Sequence, residues 1–479
     1  MSAKWSLRVK GFGKIKEAEI ETAPFLLFVG DNNSGKSYLM SLLWGVLSQG
    51  RRYWGPGYFT KVLVHRPAYE KCEQWFKAKV NDRPDGFVID EEGERLLVEL
   101  FNDALDCYKD TLVQRVIHFQ VPIEHLSIVH LKRSRKIEVK FLFSESQMEE
   151  DAEDPPLNRV FVRFDQHTVI FRASRLDTIL SPLSFVIQTT GWHLLMEGIQ
   201  SSGSLFSNLR EPLFLPASRT GFMLTYKKVL QEITELGVGG EEEDREQMPM
   251  PYTVVRFLQK LIGLEYSEDA TYAEVARYLE DTVIHGHFEK DESPIPSYEY
   301  VPEGSNRSVP IHAASSLVAE LSPLILMLRS QYLFGLLIIE EPEAHLHPAV
   351  QRYLVRAIAK LIHAGLPVWI TTHSDTIIQQ VNNLICLNSL CNRVEDPISL
   401  VEFGYEKDET LEYQKVRMYQ FSVQSPEESQ VISLTTEPEG VTVPTFNETI
   451  IALQREVMLI QNELAAAIEQ NGNPKLRGD

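Results

Sequence analysis

The segment FLLFVGDNNSGKS, residues 25–37, decides the fold of this chain. Its first five residues are apolar and predict a buried β-strand. Its last eight residues, Gly30–Ser37, match the phosphate-loop pattern G-x-x-x-x-G-K-[ST]. After Ser37, apolar residues recur at helical spacing between Leu39 and Leu47. Because a phosphate loop joins a buried strand to a helix, the segment predicts a nucleotide-binding P-loop domain.

The residue types within this loop suit phosphate binding. Glycine lets backbone N–H groups curl around phosphate oxygens, and the N-terminus of the following helix adds positive potential. We expect Lys36 to reach the terminal phosphates and the Ser37 hydroxyl to bind Mg²⁺. ATP and Mg²⁺ are therefore the predicted cofactors. The predicted nucleotide-binding residues of the loop are Gly30, Asn32, Asn33, Ser34, Gly35, Lys36 and Ser37.

A second motif, LLIIEEPEAHLHP at residues 336–348, combines an apolar strand with two consecutive acids. A carboxylate at the end of a buried strand is how P-loop enzymes hold Mg²⁺ opposite the phosphate loop, so Glu340 is predicted to bind the ion. Glu341 is then predicted to be the general base that polarises the water attacking the γ-phosphate. The alternative is a solvated acid pair at a helix start, stabilised by the helix dipole.

A third motif, ITTHSD at residues 370–375, places a histidine after another apolar strand. His373 is predicted to hydrogen-bond the γ-phosphate and the attacking water, because it ends the strand that follows the acid pair. Two further histidines, His345 and His347, lack the i, i+4 spacing of a helical zinc site, so we interpret them as loop residues at a subunit contact. Three separate motifs thus predict one nucleotide site.

Strands alternate with helices from residue 298 onward, which predicts an α/β fold with a mainly parallel sheet flanked by helices. Earlier parts of the chain contain short decorating strands between residues 137 and 172 and a Gly-, Pro- and acid-rich linker at residues 237–251. A heptad seam from Ile450 to Leu464 predicts a final helix that docks on the same chain or on a second subunit. The predicted parts are 1–221 and 298–400 for the nucleotide-binding head, 222–297 for a helical insertion, and 401–479 for a C-terminal extension.

Composition narrows the class of protein. The chain has 479 residues, 43% hydrophobic and 24% charged, which is enough material for a large core. Its longest apolar run is too short to cross a bilayer, its N-terminus lacks an apolar signal core and its four cysteines form no paired motif, so we expect a cytoplasmic protein without membrane contact. The net charge of −20 argues against a surface that coats nucleic acid. The basic run at residues 131–140 is either a local nucleic-acid patch or a solvated face.

Together the phosphate loop, EEPEAHLHP and TTHSD resemble the ATPase heads of the ABC superfamily branch that includes RecF, the SMC proteins and the OLD nucleases. FGKIKEAEI before the loop and LPASRTGF at residues 215–222 are similar to the same group. The resemblance implies an ABC-type head in which a signature serine contacts ATP bound to the partner subunit, and hence a head-to-head homodimer. The matching segment, AASSLVAELSPL, makes Ser315 and Ser316 the candidates, although no glycine follows them as it often does in the family.

No DxD metal-binding pattern follows His373, whereas the OLD nucleases carry a Toprim nuclease after the head. The chain therefore resembles the stand-alone ATPase subunits of bacterial anti-phage systems such as Septu, PARIS and some retrons. That resemblance implies a sensor or scaffold ATPase that controls a separate effector, such as a Toprim or HNH nuclease. The alternative interpretations are a DNA-repair ATPase of the RecF or SMC kind, a nuclease in its own right, and a purely structural nucleotide-binding protein.

Overall fold

The computed structural model describes residues 3–49, 54, 62–133, 136–143, 161–165, 167–173, 183–196, 211–225, 250–290, 297–332, 334–393, 400–443 and 454–462, and the structural statements below concern these residues. The chain divides into two compact units, residues 1–440 and residues 441–479. In the second unit, residues 454–462 are helical, and the rest of the predicted heptad helix lies outside the described residues.

The first unit contains the strands and helices that position the functional residues. The strands are β1 (Ala3–Phe12), β2 (Ile15–Glu21), β3 (Phe25–Gly30), β4 (Gly86–Val88), β5 (His125–Arg133), β6 (Glu138–Phe143), β7 (Phe161–Asp165), β8 (Thr168–Ala173), β9 (Leu213–Leu215), β10 (Gly286–Lys290), β11 (Tyr298–Pro302), β12 (Val309–Pro310), β13 (Leu337–Glu340), β14 (Val368–Thr372), β15 (Val416–Ser425) and β16 (Glu428–Leu434). The α-helices are α1 (Lys36–Ser48), α2 (Pro67–Asp82), α3 (Glu91–Ile117), α4 (Leu183–Met196), α5 (Tyr252–Ile262), α6 (Ala273–Leu279), α7 (Ser316–Leu328), α8 (Pro348–His363) and α9 (Asp375–Arg393).

Among the described residues, nine strands form the central sheet, in the order β5-β1-β2-β16-β15-β3-β14-β13-β9. Five of the eight neighbouring pairs are parallel, and β15, β3, β14, β13 and β9 form a continuous parallel block. The predicted α/β fold with a mostly parallel sheet flanked by helices is therefore confirmed. No helix in the described part of the chain is both long and apolar enough to span a membrane.

The centre of the parallel block consists of strands buried on both faces. Every residue of β3, β13 and β14 is buried, and their sequences are near-continuous apolar runs. Such runs are typical of parallel strands that helices cover on both faces. Helices α1 and α8 pack against β14. Since the three strands run in the same direction, their carboxyl ends meet at one edge of the sheet, where open α/β sheets bind ligands.

A tight contact between α1 and α3 fixes the helix that follows the phosphate loop. A Cβ atom added at Gly45 would lie 2.5 Å from Cγ2 of Val116, so only glycine fits at this position of α1. The large core beneath these helices includes the fully buried side chains of Trp5, Trp44 and Phe101. The second half of α1 is thereby packed closely against α3.

Two strands of the central sheet come from late in the chain. β15 and β16 form an antiparallel pair, in which β15 lies parallel to β3 and β16 borders β2. These strands fall within residues 401–479, the predicted C-terminal extension. The predicted decorating strands are β6, β7 and β8, which belong to a separate four-stranded sheet. The described part of the predicted helical insertion contains α5, α6 and β10, while almost all of the acidic linker lies outside the described residues.

Candidate functional site

The phosphate loop joins β3 to α1, as its sequence predicts. β3 ends at Gly30, which has φ 116°, and a Cβ atom there would collide with the backbone oxygen of Phe421 on β15. Gly35 has φ 94° and precedes the first helical residue, Lys36. Both glycines adopt left-handed backbone that other residues rarely tolerate. The loop therefore takes the turned path from strand to helix that a phosphate-binding loop needs.

Lys36 lies inside this loop rather than in solvent. Its side chain is buried, and its Nζ donates hydrogen bonds to the carbonyl oxygens of Gly30 at 2.9 Å and Asp31 at 2.5 Å. Burial lowers the pKa of Lys36, and the nearby carboxylates, Glu341 foremost, oppose that change. The Ser34 hydroxyl donates to the Asp31 carbonyl at 2.7 Å and braces the turn. Asn32 and Asn33 are exposed on the same loop.

The two predicted Mg²⁺ ligands lie near each other. Glu340 ends β13 and is 8% exposed, and its carboxylate accepts a hydrogen bond from the Ala217 N–H at 3.4 Å. Burial raises the pKa of Glu340 to about 7, against the lowering effect of Ser37 and of the Ala217 N–H. Carboxylate and hydroxyl oxygens are the ligands that Mg²⁺ takes beside substrate phosphates. The donor set therefore fits Mg²⁺, whose charge would offset the burial of this carboxylate.

Glu341 leaves the strand through a strained backbone turn. It has φ 42°, which is uncommon for a residue with a side chain and costs about 1–3 kcal/mol. Its N–H donates to the Thr371 carbonyl at 2.9 Å, which ties the turn to β14. The side chain of Glu341 is 35% exposed, so its carboxylate is open to solvent while its backbone is held. An anchored carboxylate beside Lys36 suits the predicted general base.

His373 follows β14 and lies beside the same acids. Its Nδ1 is 3.8 Å from Oε1 of Glu341 and 3.4 Å from Oε1 of Glu343. The parallel register pairs Glu340 with Thr371, so the ends of β13 and β14 carry these side chains to one place. The structure thus brings the phosphate loop together with the acid pair and the histidine, which lie about 300 residues later in the chain.

Glu343 is a functional candidate to which the sequence assigns no role. Its side chain is buried, and its Oε1 accepts hydrogen bonds from the Thr372 hydroxyl at 2.7 Å and from the His373 N–H at 2.8 Å. Its Oε2 has no hydrogen-bond partner among the described residues. The only sequence signal for Glu343 is that a third acid follows the acid pair after one proline, in EEPE. Glu343 holds the backbone of His373 and faces its ring.

The candidate signature serines begin α7. Ser315 is the N-cap, and its hydroxyl oxygen accepts a hydrogen bond from the Val318 N–H at 3.3 Å. Ser316 is the first helical residue, and both serines are exposed. Both serines therefore lie at the start of a helix, on the surface of the described part of the chain. Their contact with a nucleotide on a second subunit stays a prediction.

His345 and His347 occupy the loop between β13 and α8, as predicted. His345 has φ 56°, and His347 caps α8 by accepting a hydrogen bond from the Ala349 N–H at 3.3 Å. Pro348 follows at the first helical position, where its lack of an N–H costs nothing. Both histidines are exposed, and the proposed subunit contact stays untested.

A cavity of about 230 Å³ opens beside the phosphate loop. Lys14 reaches across its mouth, with Nζ 3.5 Å from the carbonyl oxygen of Asn33. Two aromatic side chains at its rim, Tyr38 and Phe119, are 48% and 68% exposed. Its other lining residues include Phe12, Ile15, Val121 and Pro122. The position and apolar lining suit the base of a nucleotide whose phosphates lie in the loop.

Comparison with known proteins agrees with this site. A family model described as an AAA ATPase domain matches residues 222–378, a segment that contains Glu340, Glu341 and His373. The matched segment covers about a third of the chain and begins after the phosphate loop. No curated protein sequence matches the chain.

Among solved structures, the Smc head domain with an extended coiled coil from Pyrococcus furiosus, bound to the C-terminal domain of ScpA, is 12% identical to this chain. That alignment covers 95% of this chain and 100% of the other, with a TM-score of 0.37. The SMC head domain from Thermotoga maritima is 10% identical over 91% of this chain and 100% of the other, with a TM-score of 0.35. Similarities this distant carry no conclusion about what this chain binds.

Proposed function

We propose that this chain binds Mg²⁺ and ATP in the phosphate loop and hydrolyses the γ-phosphate. The observation that carries the proposal is the parallel pairing of β3, β14 and β13, whose carboxyl ends bring the phosphate loop beside Glu340, Glu341 and His373. Glu341 and His373 lie within 4 Å of each other at the adjoining strand ends. A phosphate-binding loop, a metal-ligand pair and an acid–histidine pair at one edge of a sheet are the parts that nucleotide hydrolysis needs.

Each of these side chains has a specific role in the proposed reaction. The loop N–H groups and Lys36 bind the β- and γ-phosphates, and Lys36 exchanges its present carbonyl partners for phosphate oxygens. Mg²⁺ bound by Ser37 and Glu340 would neutralise charge on the phosphates. Glu341 orients the attacking water and accepts its proton, while His373 donates a hydrogen bond at the γ-phosphate. The cavity at Tyr38 and Phe119 receives the base.

The proposed ATPase works as a head-to-head dimer. The supporting observation is the exposure of Ser315 and Ser316 at the start of α7, where a second subunit can reach their hydroxyls. A helix N-terminus with exposed hydroxyls suits a γ-phosphate presented by a second copy. We propose that ATP binding closes two such heads and that hydrolysis opens them.

The biological role we propose is a cytoplasmic sensor or scaffold subunit that controls a separate effector, a nuclease or toxin, in bacterial anti-phage defence. This role rests on the resemblance of the motifs and on the net charge of −20, which favours a protein partner over broad nucleic-acid contact. The alternative is a DNA-repair ATPase of the RecF or SMC kind. A local basic face, as at residues 131–140, favours that alternative.

Steady-state hydrolysis of ATP and nucleotide binding test the proposal. Lys36→Ala is expected to abolish binding, whereas Glu341→Gln is expected to bind ATP, stop turnover and accumulate as a dimer in light-scattering measurements. Lys71→Ala, which alters an exposed lysine outside the phosphate loop, is the control and is expected to behave like wild type. A wild-type protein without Mg²⁺-dependent hydrolysis would refute the activity.

Affinity capture from the native host separates the two biological roles. A stoichiometric nuclease-like or toxin-like protein that dissociates only when ATP is turned over supports effector control. Hydrolysis that double-stranded DNA stimulates, with DNA captured beside the protein, supports the DNA-repair role instead. The Glu341→Gln protein, which is expected to hold the ATP-bound state, is the reference for both outcomes.

A further inference from the structure

We infer that Arg219 is a positioning residue for Glu341, and that its buried ion pair with Glu320 couples this positioning to the helix that carries Ser315 and Ser316. The inference rests on the proposed function, since it concerns the same reaction. Neither Arg219 nor Glu320 belongs to the predicted phosphate loop or metal-ligand pair, and neither is the predicted general base or histidine.

Arg219 is buried directly behind the acid turn. Its side chain is 3% exposed, and its guanidinium donates from Nη1 to the Glu340 carbonyl at 2.8 Å and from Nη2 to the Glu341 carbonyl at 3.3 Å. The Pro342 carbonyl lies 3.5 Å from Nη2. One rigid, planar group therefore contacts three consecutive carbonyl oxygens of the turn.

The acid turn needs such an anchor because its backbone is strained. Glu341 has φ 42°, a conformation that persists only where the surroundings enforce it. The Thr371 carbonyl holds the N–H of Glu341, and Arg219 holds its carbonyl. The two contacts fix the peptide planes on both sides of the Glu341 Cα. They therefore fix the direction in which the carboxylate leaves the sheet.

The same guanidinium pairs with α7. Nη2 of Arg219 forms an ion pair with Glu320, whose side chain is 1% exposed. The other carboxylate oxygen of Glu320 accepts a hydrogen bond from the Thr220 hydroxyl. Glu320 lies four residues after Ser316, about one helical turn, or roughly 6 Å along the axis. A movement of the start of α7 is thus transmitted through one buried side chain to the turn that carries Glu341.

A purely structural role for this ion pair makes a different prediction. Breaking one partner of a buried pair leaves an uncompensated charge, whereas replacing both partners by apolar residues is often neutral or stabilising. Combining Arg219→Met with Glu320→Leu therefore removes the ion pair without leaving a buried charge. A structural pair would leave the activity of this double variant unchanged. A positioning pair would not, because the three carbonyl contacts to the turn are lost with it.

The test compares wild type, the Arg219→Met, Glu320→Leu double variant and the conservative Arg219→Lys. Melting temperature, ATP affinity and kcat are measured for each. We expect the double variant to bind ATP within about threefold of wild type and to lose about 100-fold in kcat, the cost of misplacing a reacting group by about 1 Å. Arg219→Lys, which keeps the charge but not the fork, is expected to fall between them.

The coupling to α7 has its own measurement. A cycle of Ser316→Ala, Glu320→Gln and their combination is expected to be non-additive in kcat, since the two side chains would act through one path. If the double apolar variant has the wild-type kcat, the positioning role is overturned. If that variant does not fold, a wild-type kcat in Arg219→Lys overturns it. Strict additivity of Ser316→Ala and Glu320→Gln would overturn the coupling. An inactive wild-type protein refutes the proposed function itself, which distinguishes the two failures.

Discussion

Glu343→Ala tests whether the buried Glu343 carboxylate holds His373 in place. The substitution removes two hydrogen bonds to a charged acceptor, from the Thr372 hydroxyl and the His373 N–H. Each is worth about 1.5–3 kcal/mol, so the expected loss of stability is about 3–6 kcal/mol. A unit of 440 residues has an unfolding entropy of about 0.9 kcal/mol/K, at about 2.1 cal/mol/K per residue. The melting temperature is therefore expected to fall by about 3–7 °C.

The catalytic effect of Glu343→Ala is expected to exceed its effect on binding. Without Glu343, the His373 N–H loses its acceptor, and the ring loses the carboxylate 3.4 Å from Nδ1 and keeps only Glu341 at 3.8 Å. Positioned acid–base groups contribute about 10²–10⁴-fold to a rate, so kcat is expected to fall about 100-fold. ATP affinity is expected to change by less than about threefold, because the phosphate loop is untouched.

Glu343→Gln is the matched control. Its amide oxygen still accepts from Thr372 and His373, so the expected loss of stability is only about 1–2 kcal/mol, and kcat is expected to fall about tenfold. The assays are coupled ATP hydrolysis, titration with a fluorescent ATP analogue and thermal melting. Glu343→Ala with wild-type kcat would refute the positioning of His373. An equal loss of ATP affinity and kcat would refute the claim that His373 acts in the reaction and not in nucleotide binding.

Three further expectations follow from the contacts of single residues. Gly30→Ala is expected to prevent stable folding in a thermal melt, since its Cβ would collide with the backbone of β15, whereas Gly304→Ala, with nothing within 4 Å, is expected to lose less than about 2 kcal/mol. Glu409→Ala is expected to lower the free energy of unfolding in denaturant by about 3–5 kcal/mol, because it leaves the Arg356 charge without its buried ion-pair partner. Glu99→Ala, which breaks an exposed ion pair, is expected to lower it by less than about 1 kcal/mol. Equal losses in the two variants would contradict this expectation. Chelation of Mg²⁺ is expected to stop ATP hydrolysis, and Glu340→Gln to raise the Mg²⁺ concentration for half-maximal rate by about 10–100-fold; an unchanged Mg²⁺ dependence would argue against Glu340 as a ligand.

Most residues of the candidate site can be predicted from short stretches of sequence. A phosphate loop, an acid pair and a histidine each follow an apolar run, and such runs predict buried strands whatever the rest of the chain does. Parallel strands place their carboxyl ends at one edge, so three separate motifs predict a single site. The start of α7 at Ser316 and of α8 at Pro348 was likewise predictable, since local turn and cap residues mark helix starts.

The residues that contact these motifs from elsewhere in the chain cannot be predicted in the same way. Glu343 carries no spacing signal beyond a third acid, and its function appears only when β14 places Thr372 and His373 beside it, about 30 residues later. Arg219 lies four residues after β9, in a segment to which the sequence assigns no catalytic role, yet it contacts carbonyl oxygens more than 120 residues away. β15 gives no local hint that it pairs with β3, nearly 400 residues earlier.

The sequence by itself therefore determined the strand–loop–helix unit and predicted the nucleotide-binding residues, the acid pair and the histidine, because each motif depends on neighbours within a few residues. Only the tertiary structure decided which late strands complete the sheet and which buried groups hold Glu341 and His373 in place. Those choices depend on backbone pairing and on desolvated ion pairs between distant segments, whose energies arise only when the segments meet.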